Sequence, residues 1–356
     1  MRKTLTLIAV IVLVLAIAVG VGQWLRGPGP GPGPGPGPQA QPGWCPAVEV
    51  ISVPGTWESA PDDDPVHPTF NPNSLILKAS APLQERYSPD DVKVWTVPYT
   101  AQFRNIHAQH EMTYDDSQAE GRDRINAELS HMHGECPETK FIFMGFSQGA
   151  VIAGDIVSDI GNGRGVVPAD SVLGAALLAD GRREPGKGVM PGAPIAGLGA
   201  EVVLAPVNLL VQPIVPGATM RGGREDGFGE LNDRVQDICA PGDTVCDAPP
   251  GLGDALARAQ EYVAANGAHA TYADNPGIIP GTTSVAWTTE WAAGLIDEML
   301  ASRESLPDGA RRASGPGWPA NTPGARVWPW GGEQVPIAPE TPSDIKIDVT
   351  CDTSRA

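Results

Sequence analysis

The chain has 356 residues, 41% of them hydrophobic, so it is long enough for one large domain or two ordinary ones and apolar enough for a buried core. Its 24 basic and 42 acidic residues give a formal net charge of −18. A chain this acidic repels phosphate backbones, which argues against nucleic acid as a partner.

The first 26 residues have the composition of an export signal. Arg2 and Lys3 precede an apolar run from Leu5 to Val21, which is typical of a secretory signal peptide or of a signal anchor. Because the run approaches the length that spans a bilayer, and because basic residues precede it, we predict a membrane anchor with its N-terminus in the cytoplasm. A cleaved signal peptide is the alternative, and under either interpretation the rest of the chain is exported.

Residues 27–43 are predicted to be a spacer, since Gly27 to Pro38 is a strict alternation of glycine and proline with no apolar face. Proline fixes φ and such a run cannot join a core, so an extended, semi-stiff segment is expected. It would hold an exported domain away from the membrane. At the other end of the chain, residues 305–356 form a Pro-rich tail with three tryptophans, which either wraps around the domain or stays disordered.

Strand-like and helix-like segments alternate along residues 44–304. In chain order the predicted elements are strand Val48–Val53, helix Asn71–Tyr87, strand Val92–Pro98, helix Ser117–Met132, strand Lys140–Met144, helix Ala150–Ile160, strands Ser171–Ala179 and Val235–Cys239, and helices Leu252–Asn266 and Thr288–Ser302. Such alternation indicates a parallel sheet covered on both faces. The predicted fold class is therefore α/β: one three-layer α/β/α domain with a central, mostly parallel, five-stranded sheet.

One long insertion, residues 181–231, interrupts the alternation. It is rich in glycine and proline and contains an apolar stretch from Val202 to Val215. Long insertions in compact domains are often lids or binding loops, so a lid or a surface that binds an acyl chain is one interpretation. A buried additional strand and a mobile surface loop are the alternatives.

The strongest chemical signal is the motif Gly145-Phe146-Ser147-Gln148-Gly149, between a predicted strand and a predicted helix. A nucleophile elbow requires that context, because a tight, strained turn lifts the serine hydroxyl above the sheet while the glycines permit close packing of strand and helix. The amides at the helix N-terminus can then stabilise a developing oxyanion. Ser147 is the predicted nucleophile.

A serine nucleophile needs a base, and after this elbow an acid and then a histidine usually follow in the chain. Of the six histidines only His269 follows Ser147, so His269 is the predicted base. The acid must lie between them, and Asp243, in a loop between Cys239 and Cys246, is weakly favoured. The other candidates are Asp180, Asp226, Asp233, Asp237, Asp247 and Asp254.

Neither a metal nor a cofactor is expected. His131 and His133 are two residues apart and do not share a helix face, and neither they nor His107 and His110 have a carboxylate or cysteine spaced to complete a site. The five cysteines of an exported chain favour disulfides, and their odd number leaves one thiol free or paired with another chain.

Several motifs together resemble the cutinase family of α/β-hydrolases. They are the elbow, Cys239-x-x-x-Asp243-x-x-Cys246 after it, Cys136-Pro137 before its strand, and the opening Cys45-Pro46-Ala47-Val48-Glu49-Val50. Within the family the chain looks closest to the membrane-anchored, cutinase-like lipase/thioesterases of mycolate-containing actinobacteria, through segments 53–59, 99–103 and 147–165. The resemblance runs from about Cys45 to the region of His269.

The resemblance implies a triad of Ser147, Asp243 and His269, with an oxyanion hole made by the backbone amides of Gln148 and Thr56. Thr56 lies where small fungal cutinases carry serine, so its hydroxyl is a further expected donor, with a plain turn residue as the alternative. The implied disulfides are Cys45–Cys136 and Cys239–Cys246, which leaves Cys351 as the odd cysteine.

These residues predict an exported serine esterase that needs no cofactor and hydrolyses acyl esters or thioesters of lipids at the cell envelope. Lipase, phospholipase A and thioesterase activities all fit, with the catalytic domain held outside the cytoplasm by the N-terminal segment. The expected partners are a lipid or acyl-ester substrate and the membrane. One alternative is an envelope acyltransferase on the same triad, and the other is a non-catalytic envelope-binding protein that kept the fold.

Overall fold

The computed structural model describes residues 41–251 and 267–304. The predicted anchor over 1–26, residues 27–40 of the predicted spacer, the predicted helix Leu252–Asn266 and the tail 305–356 with Cys351 lie outside the described residues. None of the helices in the described part of the chain has the length and hydrophobicity that crossing a bilayer requires.

A five-stranded sheet forms the centre of the described fold. Its strands are β1 (Val48–Val53), β2 (Val92–Thr96), β3 (Lys140–Phe146), β4 (Val172–Leu178) and β5 (Val235–Ile238). Their order across the sheet is β2-β1-β3-β4-β5, and every neighbouring pair is parallel. The predicted five-stranded parallel sheet is confirmed. Because the strands are parallel, the loops after all of them meet at one edge, which is where ligands bind in open α/β sheets.

Helices cover both faces of this sheet. They are α1 (Leu75–Arg86), α2 (Tyr114–Glu135), α3 (Gln148–Gly161), α4 (Ala200–Leu204), α5 (Asn208–Val211) and α6 (Ser284–Glu304). Short 3₁₀ segments occupy Ala169–Ser171, Ala205–Val207 and Gly229–Arg234. Helices α1 and α6 pack together on one face and α2 and α3 on the other, which gives the predicted three layers.

Alternate residues of each strand belong to two separate cores. Ile51 and Phe143 point towards α2 and α3, whereas Val50 and Ile142 point towards α1 and α6. Since both faces are covered, the strands are nearly continuous apolar runs, and β1 is buried at all six positions.

Most differences between the predicted and observed elements lie at helix starts. Helix α2 begins at Tyr114 rather than at Ser117, because Thr113 caps it by accepting a hydrogen bond from the Asp116 amide. Helix α6 begins at Ser284, four residues before the predicted Thr288. The first turn of α2 carries Asp115 and Asp116, so hydrophobic periodicity marks it poorly, whereas the first turn of α6 contains the apolar Val285 and Trp287.

The insertion 181–231 forms its own small core against the loop that follows β2. Leu204, Val211 and Val215 pack with Phe103 and Tyr114. The apolar stretch inside the insertion therefore forms the short helices α4 and α5. The lid and acyl-binding interpretations of this segment stay predictions.

A buried carboxylate on α3 forms ion pairs with arginines of the insertion. Asp155 is 2.8 Å from Arg182, 2.7 Å from Arg221 and 2.9 Å from Arg224, all three in the insertion, and 3.3 Å from Arg122 of α2. Burial opposes ionisation of Asp155, but the guanidinium groups outweigh it and hold its pKa below the usual value. The insertion is thus fixed by charge as well as by apolar contact.

Candidate active site

Ser147 lies in a strained turn between β3 and α3. Its φ of 53° and ψ of −119° place a non-glycine residue in the positive-φ region, where backbone strain is characteristic of functional sites. The Ser147 amide donates to the carbonyl of Leu178 at the end of β4, 2.8 Å away, and this bond holds the turn against the sheet. The turn has the geometry of a nucleophile elbow.

The two glycines of the elbow are required by close backbone contacts. A Cβ on Gly145 would lie 2.6 Å from the carbonyl oxygen of Gly149, and a Cβ on Gly149 would lie 2.1 Å from that of Val53. Because the obstructing atoms belong to the backbone, no rotamer change can make room for them. Helix α3 can therefore pack directly against the ends of β1 and β3 only with glycine at both positions.

Ser147, His269 and Asp243 form one hydrogen-bonded chain. His269 Nε2 is 3.0 Å from Ser147 Oγ, and His269 Nδ1 is 2.9 Å from Asp243 Oδ2. An ionised carboxylate only accepts hydrogen bonds, so the proton of the neutral imidazole belongs on Nδ1. Nε2 is then free to accept the serine proton, which is the arrangement that a general base needs.

Asp243 is fully buried and has three hydrogen-bond donors. Besides His269, the amide of Val245 donates to Oδ1 at 3.0 Å and the hydroxyl of Tyr272 donates to Oδ2 at 2.8 Å. Burial of Asp243 raises its pKa, but the bonds from His269, Val245 and Tyr272 outweigh that effect and leave its pKa below the usual value. The carboxylate therefore stays ionised beside the imidazole.

Two disulfide bonds lie in the described part of the domain. Cys239–Cys246 closes the loop that carries Asp243, and Cys45–Cys136 joins the segment before β1 to the end of α2. Both pairings are those that the resemblance implied.

The backbone amides of Gln148 and Thr56 are the two predicted oxyanion donors. Gln148 is the first residue of α3, so its amide has no acceptor within the helix. Thr56 lies in the turn after β1, and its hydroxyl is 3.0 Å from Gln148 Oε1. That contact brings the two predicted oxyanion residues together.

A chain of hydrogen bonds fixes the direction of the Thr56 hydroxyl. The carbonyl of Thr100 can only accept, so the Ser117 hydroxyl donates to it at 2.6 Å and itself accepts from Gln148 Nε2 at 2.9 Å. Gln148 Oε1 then faces Thr56 and accepts its proton. In this arrangement the Thr56 hydroxyl orients the Gln148 side chain, and the two backbone amides are the donors that remain for an oxyanion.

A cleft of about 230 Å³ opens beside the imidazole, between the start of α1 and the segment that carries His269. The ring of Phe146 stacks on His269 with 4.9 Å between ring centroids. Apolar side chains such as Leu75 mix with charged ones such as Lys78. The full lining is Glu58, Asn73, Leu75, Lys78, Phe146, His269, Ala270, Ala273 and Asp274.

The other acid candidates lie elsewhere. Asp180 pairs with Arg224, and Asp226 pairs at the surface with Arg164, while Asp247 accepts from the amides of Gly197 and Gly242. Asp237 lies 3.7 Å from Arg183, Asp233 has no contact with the triad, and Asp254 lies outside the described residues. Within residues 41–251 and 267–304, no group of three or more His, Cys, Asp or Glu side chains could hold a metal ion.

Three contributors to the site carry no sequence signal of their own. Tyr272 contacts Asp243 across 29 residues, Ser117 contacts Gln148 across 31, and Glu58 lines the cleft beside His269. Tyr272 lies three residues after His269, and Glu58 lies in segment 53–59, which carries part of the family resemblance. The resemblance assigned a role to none of the three.

Two sequence comparisons show the family to which the chain is similar. The family model described as Cutinase matches residues 72–273. The Carboxylesterase Culp6 homolog of Corynebacterium glutamicum is 66% identical over 257 residues, which cover 72% of this chain and 83% of that protein.

Solved structures of similar proteins include a cutinase-like protein from Cryptococcus sp., at 17% identity and a TM-score of 0.42 over 72% of this chain and 98% of that one. The catalytic core domain of acetyl xylan esterase from Trichoderma reesei is 16% identical, with a TM-score of 0.38 over 62% of this chain and 95% of that one. The family-model match, the extent of the Corynebacterium match and the parallel sheet together place the chain: it belongs to the cutinase family of α/β-hydrolases and is a carboxylic ester hydrolase.

Proposed function

We propose that this esterase is exported and hydrolyses acyl esters or thioesters of lipids at the cell envelope, with Ser147, His269 and Asp243 as its catalytic triad. The observation that carries the triad is the continuous chain of 3.0 Å and 2.9 Å contacts that starts at a strained elbow serine. Such a chain links a nucleophile to a base and the base to an orienting acid.

In the proposed mechanism, Ser147 Oγ attacks the acyl carbonyl carbon while His269 Nε2 takes its proton. The carbonyl oxygen becomes an oxyanion that accepts hydrogen bonds from the amides of Gln148 and Thr56. The imidazolium, stabilised by Asp243, then protonates the departing alkoxide or thiolate and leaves an acyl-enzyme. Water attacks the acyl-enzyme with His269 again as base, and the carboxylic acid and free serine are regenerated.

Lipids at the envelope are supported as substrates by the predicted N-terminal segment and by the composition of the cleft. An anchor over 1–26 followed by a spacer would keep the domain close to membrane lipids. Two disulfides are typical of proteins in oxidising compartments. The cleft beside His269 is lined by apolar Leu75 and Phe146 together with charged side chains, which suits an ester with an acyl chain and a polar leaving group.

The test is fluorophosphonate labelling of the oxidised full chain, compared with Ser147→Ala and with the control Ser130→Ala. Ser130 is an exposed serine on α2, so its loss should change neither labelling nor turnover. We expect wild type and Ser130→Ala to be labelled and to hydrolyse p-nitrophenyl esters, phospholipids or acyl thioesters, and Ser147→Ala to do neither. A folded wild type that resists labelling would overturn the triad, whereas labelling without lipid or thioester turnover would overturn only the substrate class.

A further inference from the structure

Glu58 makes two hydrogen bonds that close the turn carrying Thr56. The amide of Glu58 donates to the carbonyl of Gly55 at 3.0 Å, and the amide of Gly55 donates back to Glu58 Oε2 at 3.0 Å. Thr56 lies inside the ring that these two bonds complete. Its backbone amide, one of the two proposed oxyanion donors, is therefore held by a main-chain bond and by a carboxylate.

The same carboxylate reaches the start of α1. The hydroxyl of Ser74 donates to Glu58 Oε2 at 2.9 Å, and the amide of Leu75, the first residue of α1, donates to Glu58 Oε1 at 2.9 Å. Ser74 stands at the N-cap but makes no capping bond with its own side chain. Glu58 therefore supplies the acceptor that the helix start lacks, and it connects the Thr56 turn to a 12-residue helix packed on the sheet.

Burying the Glu58 carboxylate costs free energy that a turn with a purely structural role would not have to spend. Among the described residues no Lys or Arg nitrogen lies within 4 Å of it, and its burial raises its pKa despite the bonds from Leu75, Gly55 and Ser74. It lines the same cleft as His269, with Lys78 and Asp274 as the other charged groups there. The charge of Glu58 also acts on buried Tyr99, whose pKa rises chiefly by burial and further through that charge.

We infer that Glu58 is a positioning residue of the oxyanion hole, which fixes the Thr56 amide relative to the Gln148 amide by tying the Gly55–Glu58 turn to the first turn of α1. This inference rests on the proposed catalytic site. Oxyanion donors act only when they are held where the charge develops, and a displacement of about 1 Å can cost up to about 100-fold in rate. Glu58 need not touch the substrate to have this effect.

Glutamine cannot replace this carboxylate although its shape is nearly the same. Oε2 accepts from Gly55 and Ser74 while Oε1 accepts from Leu75. A glutamine amide offers one acceptor oxygen, so in either orientation its NH₂ group faces a backbone N–H. Glu58→Gln should therefore release the turn from one side and lower kcat by about 10- to 100-fold with little change in KM.

Glu58→Asp separates positioning from charge. The aspartate keeps a negative charge near His269 but is one methylene too short to bind Gly55 and Leu75 together. We expect it to lose kcat about as severely as Glu58→Gln. Full activity in Glu58→Asp, with loss only in Glu58→Gln, would show that the charge acts on His269 and would overturn the inference.

The experiment measures kcat and KM for a p-nitrophenyl ester, the inhibition constant of a boronic acid, the rate of fluorophosphonate labelling and the Tm. The boronate adduct of Ser147 places an anionic oxygen in the oxyanion hole, so its inhibition constant should rise by the same factor by which kcat/KM falls. The control Glu85→Gln removes an exposed negative charge on α1, and it should have the same kinetic constants and Tm as the wild type.

A wild-type kcat in both Glu58 variants, or a loss confined to KM, would refute the positioning role. If Glu58→Gln does not fold, Glu58→Asp alone decides. Failure of the wild type to be labelled would instead refute the proposed triad, so the two ideas fail in different ways.

Discussion

At the scale of single residues, the carboxylate of Asp243 is the fully buried member of the proposed triad. Its two oxygens accept from His269, Val245 and Tyr272. Such an acid fixes the tautomer of the histidine, and replacing it by its amide leaves the shape but offers the wrong hydrogen-bond partner.

Asp243→Asn should therefore lower kcat by about 10⁴-fold, because the amide NH₂ competes with the proton on His269 Nδ1. Asp226→Asn is the matched control, since Asp226 was also a candidate acid but pairs with Arg164 at the surface. Steady-state hydrolysis of a p-nitrophenyl ester measures both. Equal activity of the two variants would mean that Asp243 is not the acid.

How much of the site could be predicted differs from residue to residue. Ser147 is found by a local motif, and His269 is the only histidine left by the chain order. Asp243 needed the family resemblance, because chain order left ten aspartates between Ser147 and His269. Tyr272 was not found, and Glu58 was given no role although it lies in segment 53–59, since their contacts join segments 29 and 17 residues apart and depend on how the loops fold. Hydrogen bonds of this kind leave no periodicity in the sequence.

At the scale of elements, the junction of β1, β3 and α3 is the most tightly packed part of the site. The Gly149 Cα faces the carbonyls of Val53 and Pro54, so a methyl group there must push the end of β1 away from α3. This movement would separate the Thr56 turn from the Gln148 amide. The elbow thus couples packing to catalysis.

Gly149→Ala should lower the free energy of unfolding by about 2–4 kcal/mol. It should also reduce ester turnover more than about 100-fold, which is the size of the effect of losing one oxyanion donor. Gly134→Ala is the control, because no atom lies within 4 Å of its added Cβ and alanine favours a helix. Chemical denaturation and p-nitrophenyl ester assays give the two quantities. A Gly149→Ala protein with wild-type stability and turnover would contradict the observed packing.

A second feature at this scale is a lysine, Lys93, that contacts two acids, buried Glu49 and partly buried Glu128. Glu49 on β1 lies opposite Lys93 of β2, whose Nζ is 2.7 Å from Glu49 Oε1 and also contacts Glu128 of α2. Burial raises the pKa of Glu49 to about 8, with Glu128 adding to the rise and Lys93 opposing it. In the unfolded chain the ordinary value is 4.5.

The free energy of unfolding should therefore fall as the pH rises from about 4.5 to about 8, because in that window the unfolded chain has lost the Glu49 proton while the folded chain retains it. Below that window the stabilisation is fully present. Glu49→Gln should flatten this slope, which we expect to amount to roughly 1–3 kcal/mol. Denaturant titrations at a series of pH values test this, with Glu135→Gln, an exposed acid on α2, as control. An unchanged slope in Glu49→Gln would refute the assignment.

The type and order of the elements could be predicted because β-branched runs and helical periodicity are local signals. The first turn of α2 was missed because it carries Asp115 and Asp116 and because capping by Thr113 depends on the backbone geometry that it creates. The first turn of α6 contains the apolar Val285 and Trp287, and its start was predicted four residues too late. The internal structure of residues 181–231 could not be predicted either, since α4 and α5 gain their stability from contacts with distant Phe103 and Tyr114.

At the scale of the whole molecule, two kinds of long-range connection hold the domain together. Asp155 joins α2, α3 and the insertion through buried ion pairs. The disulfides have very different sequence separations, which are 91 for Cys45–Cys136 and 7 for Cys239–Cys246. Because loop-closure entropy grows with loop length, the two bonds should contribute to different properties.

The double variant Cys45→Ala/Cys136→Ala should lose about 4–5 kcal/mol of unfolding free energy by the chain-entropy relation, yet keep the kcat of its folded fraction, because neither cysteine touches the triad. Cys239→Ala/Cys246→Ala should lose only about 2–3 kcal/mol but show the larger fall in kcat, since the Asp243 loop is no longer closed. Denaturation midpoints and ester turnover at 10 °C to 25 °C, corrected for folded fraction, compare the two. If the long-range pair proved catalytically important and the short-range pair did not, the assignment of Cys239–Cys246 as the support of the catalytic acid would be wrong.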